Sequence, residues 1–309
     1  MIPLLVIAGP TASGKTALAV EVCRAFGGEV ISSDSMQVYE TLRIGTARPT
    51  EEEMKGIPHH LMGFLPPSAS YSVARYAEQA HAAIHDVHSR GKLPVLCGGT
   101  GLYIQAVVEN LQYEEQPANR ELREELNRRI ASEGGEALLK ELAQVDATTA
   151  ARLHPNDHGR IVRALEIYHT TGRTITEQNE NSHRTPSPYN VCGFMLDFRN
   201  REMLYERINR RVEMMVDEGL EDEARWLRAQ ENTDTVYQAI GYKEWEPFFA
   251  GESTVQDVVA AIQQGTRRYA KRQLSWFRHR PYMQPLYVDD GDVFAQACAQ
   301  ITRWKGEHV

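Results

Sequence analysis

The chain has 309 residues, of which 42% are hydrophobic and 25% charged, and its net charge is −8. This ordinary globular composition excludes collagen, low-complexity disorder and small disulfide scaffolds. The length is typical of two domains, or of one core with a large insertion. The negative net charge excludes a basic nucleic-acid coat but leaves a local basic patch open.

The cysteine pattern and the N-terminus bear on location. The four cysteines, Cys23, Cys97, Cys192 and Cys298, form no CxxC pair, which favours free thiols in a reducing compartment. The N-terminus has no basic region or small-residue cleavage site, and no apolar run approaches the ~18 residues of a membrane span. We expect a soluble, cytoplasmic protein, and a monomer.

The first 110 residues alternate strand and helix patterns. Short apolar runs predict strands at 3–8, 29–33 and 93–97, and helical patterns occupy 15–26 and 72–90. This alternation is typical of a parallel α/β sheet.

The remainder of the chain changes character at about residue 117. Residues 117–185 are charged and helical in pattern, and 177–190 is a polar segment with two prolines that predicts a loop. A strand is then predicted at 191–198, long helices at about 201–230 and 254–280, and a short strand near 285–288. We therefore expect an α/β core of residues 1–116 and 190–309, with a helical insertion domain at 117–189.

The strongest motif follows the first strand. Residues 9–16, GPTASGKT, match GxxxxGK[ST] between a strand and a helix, the context that a phosphate loop requires. Backbone N–H groups and the helix N-terminus form an anion cradle, Lys15 adds a charge, and the Thr16 hydroxyl is placed to reach Mg²⁺. The motif specifies polyphosphate binding and does not specify ATP.

Asp34 follows the second predicted strand. Sites in open α/β sheets lie outside the carboxyl ends of the strands, which places Asp34 beside the phosphate loop. Its carboxylate suits Mg²⁺ binding or general-base catalysis. The alternative is a helix N-cap, a position that Asp favours.

The third predicted strand ends in Gly98-Gly99-Thr100-Gly101. Glycines at a strand end let backbone approach a ligand closely. A Walker-B carboxylate is missing from this strand end, which counts against ordinary ATP hydrolysis.

Two basic clusters stand out from the negative chain. Residues 266–280 hold six cations interleaved with Tyr269, Trp276 and Phe277, which suits RNA contact or, alternatively, a solvated helix with a buried aromatic face. The second cluster comprises Arg199, Arg201, Arg207, Arg210 and Arg211. Arg207 and Arg211 share a helical face and are candidates to clamp a diphosphate.

Histidines offer a weaker signal. His81, His85 and His88 lie on one predicted helical face, but they match no metal motif, and we expect solvated side chains.

Nine ordered blocks carry a family resemblance. They are GPTASGKT at 9–16, DSMQVY at 34–39, GTARP at 45–49, HHL at 59–61, YSVARY at 71–76, GGTGLY at 98–103, HPND with RIVRALE at 154–166, QAIGYKE at 238–244 and YAKRQLSWFR at 269–278. Together they resemble the tRNA isopentenyltransferase (tRNA dimethylallyltransferase) family. The resemblance implies a P-loop NTPase-like α/β fold with a parallel sheet core and a helical insertion domain that contacts tRNA.

The resemblance also implies a reaction and its residues. The dimethylallyl group of dimethylallyl diphosphate passes to N6 of the adenosine on the 3′ side of the anticodon, with release of diphosphate and with Mg²⁺ as cofactor on Thr16. The family's catalytic aspartate falls on Asp34, as general base. Thr16, with its Mg²⁺, and Arg211 are further catalytic candidates, because they would stabilise the charge of the leaving diphosphate. The diphosphate-binding residues are Gly9, Pro10, Thr11, Ala12, Ser13, Gly14, Lys15 and Thr16. The family's tRNA-contacting positions fall on Asp34, Ser35, Met36, Gln37, Thr100, Arg123, Gly159, Arg160, Ile161, Val162, Arg163, Gln238, Ala239, Ile240, Gly241, Tyr242, Lys243, Thr266, Arg267, Arg268, Tyr269, Ala270, Lys271, Arg272 and Gln273.

Two other functions use the same features. A nucleotide or small-molecule kinase has the same phosphate loop and predicts transfer of the ATP γ-phosphate. A non-catalytic tRNA-binding module would use the basic aromatic segment and leave bound tRNA unmodified.

Overall fold

The computed structural model describes residues 1–113, 119–182 and 185–306. The fold is built around one parallel sheet. Its strand order is β3-β2-β4-β1-β5-β6, and every pairing is parallel. The strands are β1 (Ile2–Ala8), β2 (Gly28–Ser33), β3 (His59–His60), β4 (Leu93–Gly98), β5 (Tyr189–Asp197) and β6 (Met283–Tyr287). The predicted α/β fold class with a P-loop-type parallel core is confirmed.

Helices follow the strands along the chain. The first four are α1 (Lys15–Phe26), α2 (Glu51–Met54), α3 (Val73–Ser89) and α4 (Gly101–Val108). The next five are α5 (Arg120–Glu133), α6 (Gly135–Val145), α7 (Ala147–Ala150), α8 (His158–Thr171) and α9 (Ile175–Ser182). The last six are α10 (Arg201–Asp217), α11 (Leu220–Arg228), α12 (Asp234–Tyr237), α13 (Glu246–Phe249), α14 (Val255–Arg278) and α15 (Val293–Gly306), with a 3₁₀ turn at Lys243–Trp245.

The sheet is apolar on both faces because successive side chains of a strand point to opposite sides. In β1, Leu4 and Val6 pack on one face with side chains of α3, α4, α10 and α14. Leu5 and Ile7 pack on the other face with α1 and α15. Because helices cover both faces, polar groups reach solvent mainly at the strand ends, where the phosphate loop lies.

The chain divides into two compact units. The first unit comprises Met1–Val108 and Pro188–Val309, and the second comprises Glu109–Ser187. The second unit holds α5 to α9 around its own apolar core, which includes Leu126, Leu138 and Leu165. The sequence placed the divisions at 116/117 and 189/190, and the first of these lies outside the described residues.

Two predicted elements differ from the structure. The loop predicted for 177–190 is wrong over 177–182, which belong to α9, because Thr174 and Glu177 exchange hydrogen bonds that cap the helix start. The single helix predicted over 201–230 is broken between α10 and α11. Gly219 adopts a left-handed φ of +102° at that break, a conformation that favours glycine.

The structure also shows the state of the cysteines and the character of the helices. The four cysteines are free thiols, and three of them are buried. None of the helices in the described ranges combines the length and apolar character that a membrane crossing requires.

The buried Glu29 carboxylate joins β2 to β3 and to the C-terminal end of α3, and this ion pairing predicts acid sensitivity. The Glu29 carboxylate accepts hydrogen bonds from Arg90 at 2.5 and 2.7 Å and contacts His60 Nε2 at 2.8 Å. The Arg90 hydrogen bonds outweigh burial and lower the pKa of Glu29 from 4.5 to about 2. A lowered carboxyl pKa stabilises the fold fully above pH 4.5, and that contribution is lost as the pH falls towards 2.

We expect Glu29→Gln to lower the free energy of unfolding at pH 7 by about 1–2 kcal/mol, a modest value because Arg90 is partly exposed. Denaturant unfolding at pH 7 and pH 3 measures this. Asp86→Asn is the control, since Asp86 also pairs with Arg90 but is 60% exposed, and it should change stability by less than about 0.5 kcal/mol. Equal losses of stability on acidification in the wild type and in Glu29→Gln would contradict the assignment.

Candidate active site

The phosphate loop, residues 9–16, turns sharply between β1 and α1. Ala12 and Gly14 have positive φ values of 62° and 93°, and Gly14 immediately precedes the first helical residue, Lys15. A Cβ on Gly9 would lie 2.9 Å from Ser13 Oγ and 3.1 Å from Leu196 Cβ. The glycines of the motif therefore serve the turn itself and its packing against β5.

Two side chains from distant helices hold this loop. Thr11 N donates to Gln273 Oε1 at 3.3 Å, and Gln273 Nε2 donates to the Gly99 carbonyl at 2.9 Å. Arg207 Nε donates to the Ala12 carbonyl at 2.8 Å. Gln273 is only 5% exposed, so this predicted tRNA-contacting residue links the loop, β4 and α14.

A cavity of about 390 Å³ opens beside the loop within the first unit. Its walls bring together the loop, the segment after β2, the 43–47 turn, α10, the 238–243 segment and α14. Predicted site residues that line it are Thr11, Ala12, Lys15, Thr16, Asp34, Ser35, Met36, Gln37, Arg211, Gln238, Ala239, Ile240, Gly241, Lys243, Thr266, Tyr269, Arg272 and Gln273. We call this space the phosphate-loop cavity.

The phosphate-loop cavity is positively charged. Its described lining contains Lys15, Arg211, Lys243 and Arg272, against Asp34 as the one acidic side chain. Burial lowers the pKa of Lys15, while the nearby Asp34 charge acts to raise it. Burial likewise lowers the pKa of Arg211. These desolvated cations favour an anion, because charge interactions strengthen away from water.

A second basic cavity adjoins the loop at Ala12. Arg207, Arg210 and Arg211 of α10 line it together with Arg43 and Arg48. Arg207 and Arg211 thus lie on one face of α10, as their four-residue spacing predicts, and both line this cavity. Arg199 of the same predicted cluster pairs instead with Asp290 at 2.6 Å.

Asp34 faces the cavity from a turn. One carboxylate oxygen accepts a hydrogen bond from Met36 N at 2.9 Å, and Ser35 N donates to Thr100 Oγ1 at 3.0 Å. The helix N-cap alternative is wrong, because turns and bends follow Asp34 where a helix would have to begin. No second hydrogen-bond donor to this carboxylate is found in the part of the chain that the structure describes.

The 43–47 turn is held by Glu223 of α11, a residue that the sequence analysis missed. Its carboxylate accepts from the backbone N–H groups of Arg43, Ile44 and Gly45 at 2.7, 3.0 and 2.8 Å, and from the Tyr242 hydroxyl at 2.9 Å. This turn also holds Gln37, because Gln37 Nε2 donates to the Ala47 carbonyl at 3.1 Å. The side-chain amide of Gln37 is therefore already bonded to protein.

The glycines at the end of β4 allow close packing against the protein itself. A Cβ on Gly98 would lie 2.1 Å from Ser33 O, one on Gly99 2.3 Å from Gln273 Nε2, and one on Gly101 2.4 Å from Trp276. These glycines therefore let the strand end approach β2 and α14, and their predicted approach to a ligand stays a prediction.

Two further ionisable side chains, Asp197 and Cys97, lie near the strand ends. Asp197 ends β5 and is 1% exposed, but Arg278 donates to its carboxylate at 2.6 Å and Phe198 N at 2.8 Å. Burial raises the pKa of the Cys97 thiol to about 12, which keeps it neutral at pH 7. Neither group offers a second free acid beside the loop.

Other predicted site residues lie outside this cavity. Arg123 and Gly159–Arg163 belong to the second unit, where Arg123 and Arg163 both bind Glu166. The side chains of Ile161, Val162, Tyr242 and Ala270 are buried in the cores of their units.

No group of three or more His, Cys, Asp or Glu side chains suited to a metal is found in the described ranges. His81 is bonded to the Tyr189 hydroxyl.

Comparisons with known proteins find relatives that span most of the chain. The IPP transferase family model matches residues 37–280, and the isopentenyl transferase model matches residues 2–63. The tRNA dimethylallyltransferase of Caldanaerobacter subterraneus subsp. tengcongensis is 43% identical over 292 residues, which cover 94% of this chain and 93% of the relative. That of Halalkalibacterium halodurans is 47% identical over 291 residues, or 94% and 92% of the two chains.

Two solved structures share the fold. The tRNA isopentenylpyrophosphate transferase of Bacillus halodurans superposes with a TM-score of 0.72 at 40% identity, over the whole of both chains. A eukaryotic dimethylallyltransferase acting on tRNA gives a TM-score of 0.78 at 30% identity, over 97% of this chain and 78% of that one. The resemblance inferred from the sequence motifs is confirmed, and the chain belongs to the IPP transferase family of prenyltransferase enzymes.

Proposed function

We propose that this enzyme transfers the dimethylallyl group of dimethylallyl diphosphate to N6 of the adenosine on the 3′ side of the anticodon of tRNA. One observation carries the proposal: an anion-binding phosphate loop and a single carboxylate, Asp34, line one cavity. The names of the relatives, tRNA dimethylallyltransferases, point to the same substrates.

The leaving group is the diphosphate. Backbone N–H groups of the phosphate loop and the start of α1 offer donors and positive potential to its oxygens. Lys15 and Arg211 line the same wall and add charge where negative charge develops as the C–O bond breaks. The loop stabilises a departing diphosphate, so no nucleotide is consumed.

The acceptor is the exocyclic amine of adenine, a weak nucleophile because its lone pair is delocalised into the ring. As the new C–N bond forms, N6 must lose a proton. Asp34 accepts that proton, since its carboxylate faces the cavity and only one hydrogen bond to it, from Met36 N, is found in the described chain. The base must first leave the anticodon stack to enter the cavity.

The residues present fit a Mg²⁺ ion. Mg²⁺ is usually held by one or two protein oxygens together with substrate phosphates and water. The Thr16 hydroxyl, on the cavity wall beside Lys15, would be its protein ligand. When bound, Mg²⁺ supplies positive charge to the diphosphate oxygens.

Contacts to tRNA beyond the reacting base are proposed for α14 and for the second unit. Arg268, Lys271 and Arg272 are exposed on α14, and Arg272 also lines the cavity. Arg123, Arg160 and Arg163 supply cations on the second unit. Such cations bind the phosphate backbone regardless of its sequence.

The discriminating experiment gives the purified enzyme unmodified tRNA with labelled dimethylallyl diphosphate, or with labelled ATP. Label in tRNA only from the allylic donor supports the proposal. ATP turnover without alkylated RNA would favour the kinase, and tRNA binding without any transfer would favour the non-catalytic module.

We expect Asp34→Asn to slow single-turnover transfer by about 10²-fold or more, the usual effect of losing a general base. Asn keeps an oxygen that can accept from Met36 N, so the turn and the tRNA affinity should persist. Asp86→Asn is the control, because it makes the same substitution at an exposed carboxylate of α3 that does not line the cavity, and it should stay within a few-fold of wild type. A wild-type chemical step in Asp34→Asn would remove Asp34 from the base role.

We expect the double variant Lys271→Ala, Arg272→Ala to weaken tRNA binding and to reduce the slope of log Kd against log salt by about 1–2, since each lost phosphate contact removes about one unit. Binding titrations at several salt concentrations measure this. The matched control is Arg303→Ala, Lys305→Ala on α15, which packs on the opposite face of the sheet. An unchanged slope in the α14 variant would contradict the proposed phosphate contacts and leave α14 with a structural role alone.

A further inference from the structure

The second unit contains a buried carboxylate that binds two surface arginines. Glu166 of α8 is 1% exposed. Arg123 Nη2 donates to its two oxygens at 3.1 and 2.8 Å, and Arg163 Nη1 donates at 2.9 Å. The backbone N–H of Asn119, the N-cap of α5, donates to it at 2.9 Å. One carboxylate thus joins the start of α5 to α8 and fixes two guanidinium groups.

Both arginines keep capacity for another anion. A guanidinium has five N–H donors in a planar fork, and each of these arginines uses a single nitrogen on Glu166. Within the described part of the chain, the other nitrogens of Arg123 and Arg163 have no hydrogen-bond acceptor. The two side chains are 43% and 40% exposed, so these donors are accessible to a ligand.

The local charge balance favours an anionic partner. Arg160 lies one helical turn before Arg163, is exposed, and has no ion pair among the described residues. Two arginines therefore bind one carboxylate and a third lies one helical turn away, so positive charge exceeds negative charge among these four residues. Burial acts to raise the pKa of Glu166, but the hydrogen bonds from Arg123 and Arg163 outweigh it and lower the pKa, so the carboxylate stays ionised.

We infer that Glu166 is a positioning residue for tRNA: its buried carboxylate holds Arg123 and Arg163 side by side so that their remaining N–H donors receive RNA phosphates. This inference rests on the proposed function. Arginine loses substantial rotamer freedom when it binds, and a side chain already fixed loses less. Glu166 therefore acts through the arginines and touches neither substrate.

The test compares Glu166→Gln with Glu141→Gln. Glu141 is the matched control, because it lies in the same unit and pairs with Arg129 at 2.7 Å and His169 at 3.3 Å, neither of which is a predicted tRNA contact. We expect Glu166→Gln to raise the Kd and the KM for tRNA about tenfold. The KM for dimethylallyl diphosphate and kcat at saturating tRNA should stay near wild type, and Glu141→Gln should leave all four constants unchanged.

A double-mutant cycle asks whether Glu166 acts through the arginines. In an Arg123→Ala, Arg163→Ala background, Glu166→Gln should cause no further loss of tRNA affinity. An equal tenfold loss in that background would overturn the inference, because Glu166 would then be acting through the fold alone. An unchanged or tighter Kd for tRNA in the single variant Glu166→Gln would also overturn it.

A second variant tests the inference without changing Glu166, so its result does not depend on how the unit folds when the buried carboxylate is altered. Arg123→Lys, Arg163→Lys leaves Glu166 intact and keeps both charges but removes the planar forks. We expect a similar loss of tRNA affinity, and wild-type affinity would contradict the inference. If the wild-type enzyme alkylates tRNA while Glu166→Gln binds it normally, only the positioning role fails. If the wild type transfers no dimethylallyl group, the proposed function itself fails.

Discussion

The site depends on the hydrogen bonds that Gln273 makes across the top of the sheet. The phosphate loop contains two residues with positive φ, Ala12 and Gly14, and such a turn persists only where its surroundings hold it. Gln273 supplies that constraint by accepting from Thr11 N and donating to the Gly99 carbonyl. Because the bond from Gln273 to Gly99 is buried, water competes little for it. The same side chain fixes α14 against β4, so the basic residues of α14 are placed relative to the anion cradle.

The charge pattern of the cavity suits an anionic ligand. Lys15 and Arg211 are desolvated and line it together with Asp34, the one acidic side chain of its described lining. A hydrolase needs a further acid at a strand end to organise its water and metal. Here β4 ends in Gly98, and Asp197 at the end of β5 is bound by Arg278. Among these described strand-end residues, Asp197 is held in an ion pair, whereas Asp34 lines the cavity without an ion pair to any described residue.

The parts of the structure set by local sequence could be predicted, and the parts set by distant contacts could not. The phosphate loop, its flanking strand and helix, and the position of Asp34 follow from patterns within about ten residues. The role of Gln273 depends on a partner 262 positions away, and that of Glu223 on partners 178–180 positions away, so no local pattern encodes them. The packing roles of Gly98 and Gly101 were not predictable for the same reason, because the atoms that a Cβ would meet belong to β2 and α14. The start of α9 was missed because its cap, Thr174 with Glu177, lies in a stretch with little hydrophobic periodicity.

A net charge of −8 is compatible with RNA binding because several carboxylates in this protein act inward. Glu223 binds three backbone N–H groups, Glu166 binds two arginines, and Asp197 binds Arg278. Each of these carboxylates binds a hydrogen-bond donor of the protein itself. The arginines bound by Glu166 and Asp197 remain partly exposed at the surface. Mean charge therefore misrepresents the surface that a polyanion would meet, since fields depend on where charges lie. An acidic protein can present basic surfaces to tRNA when its acids are used to hold the cations and turns that form those surfaces.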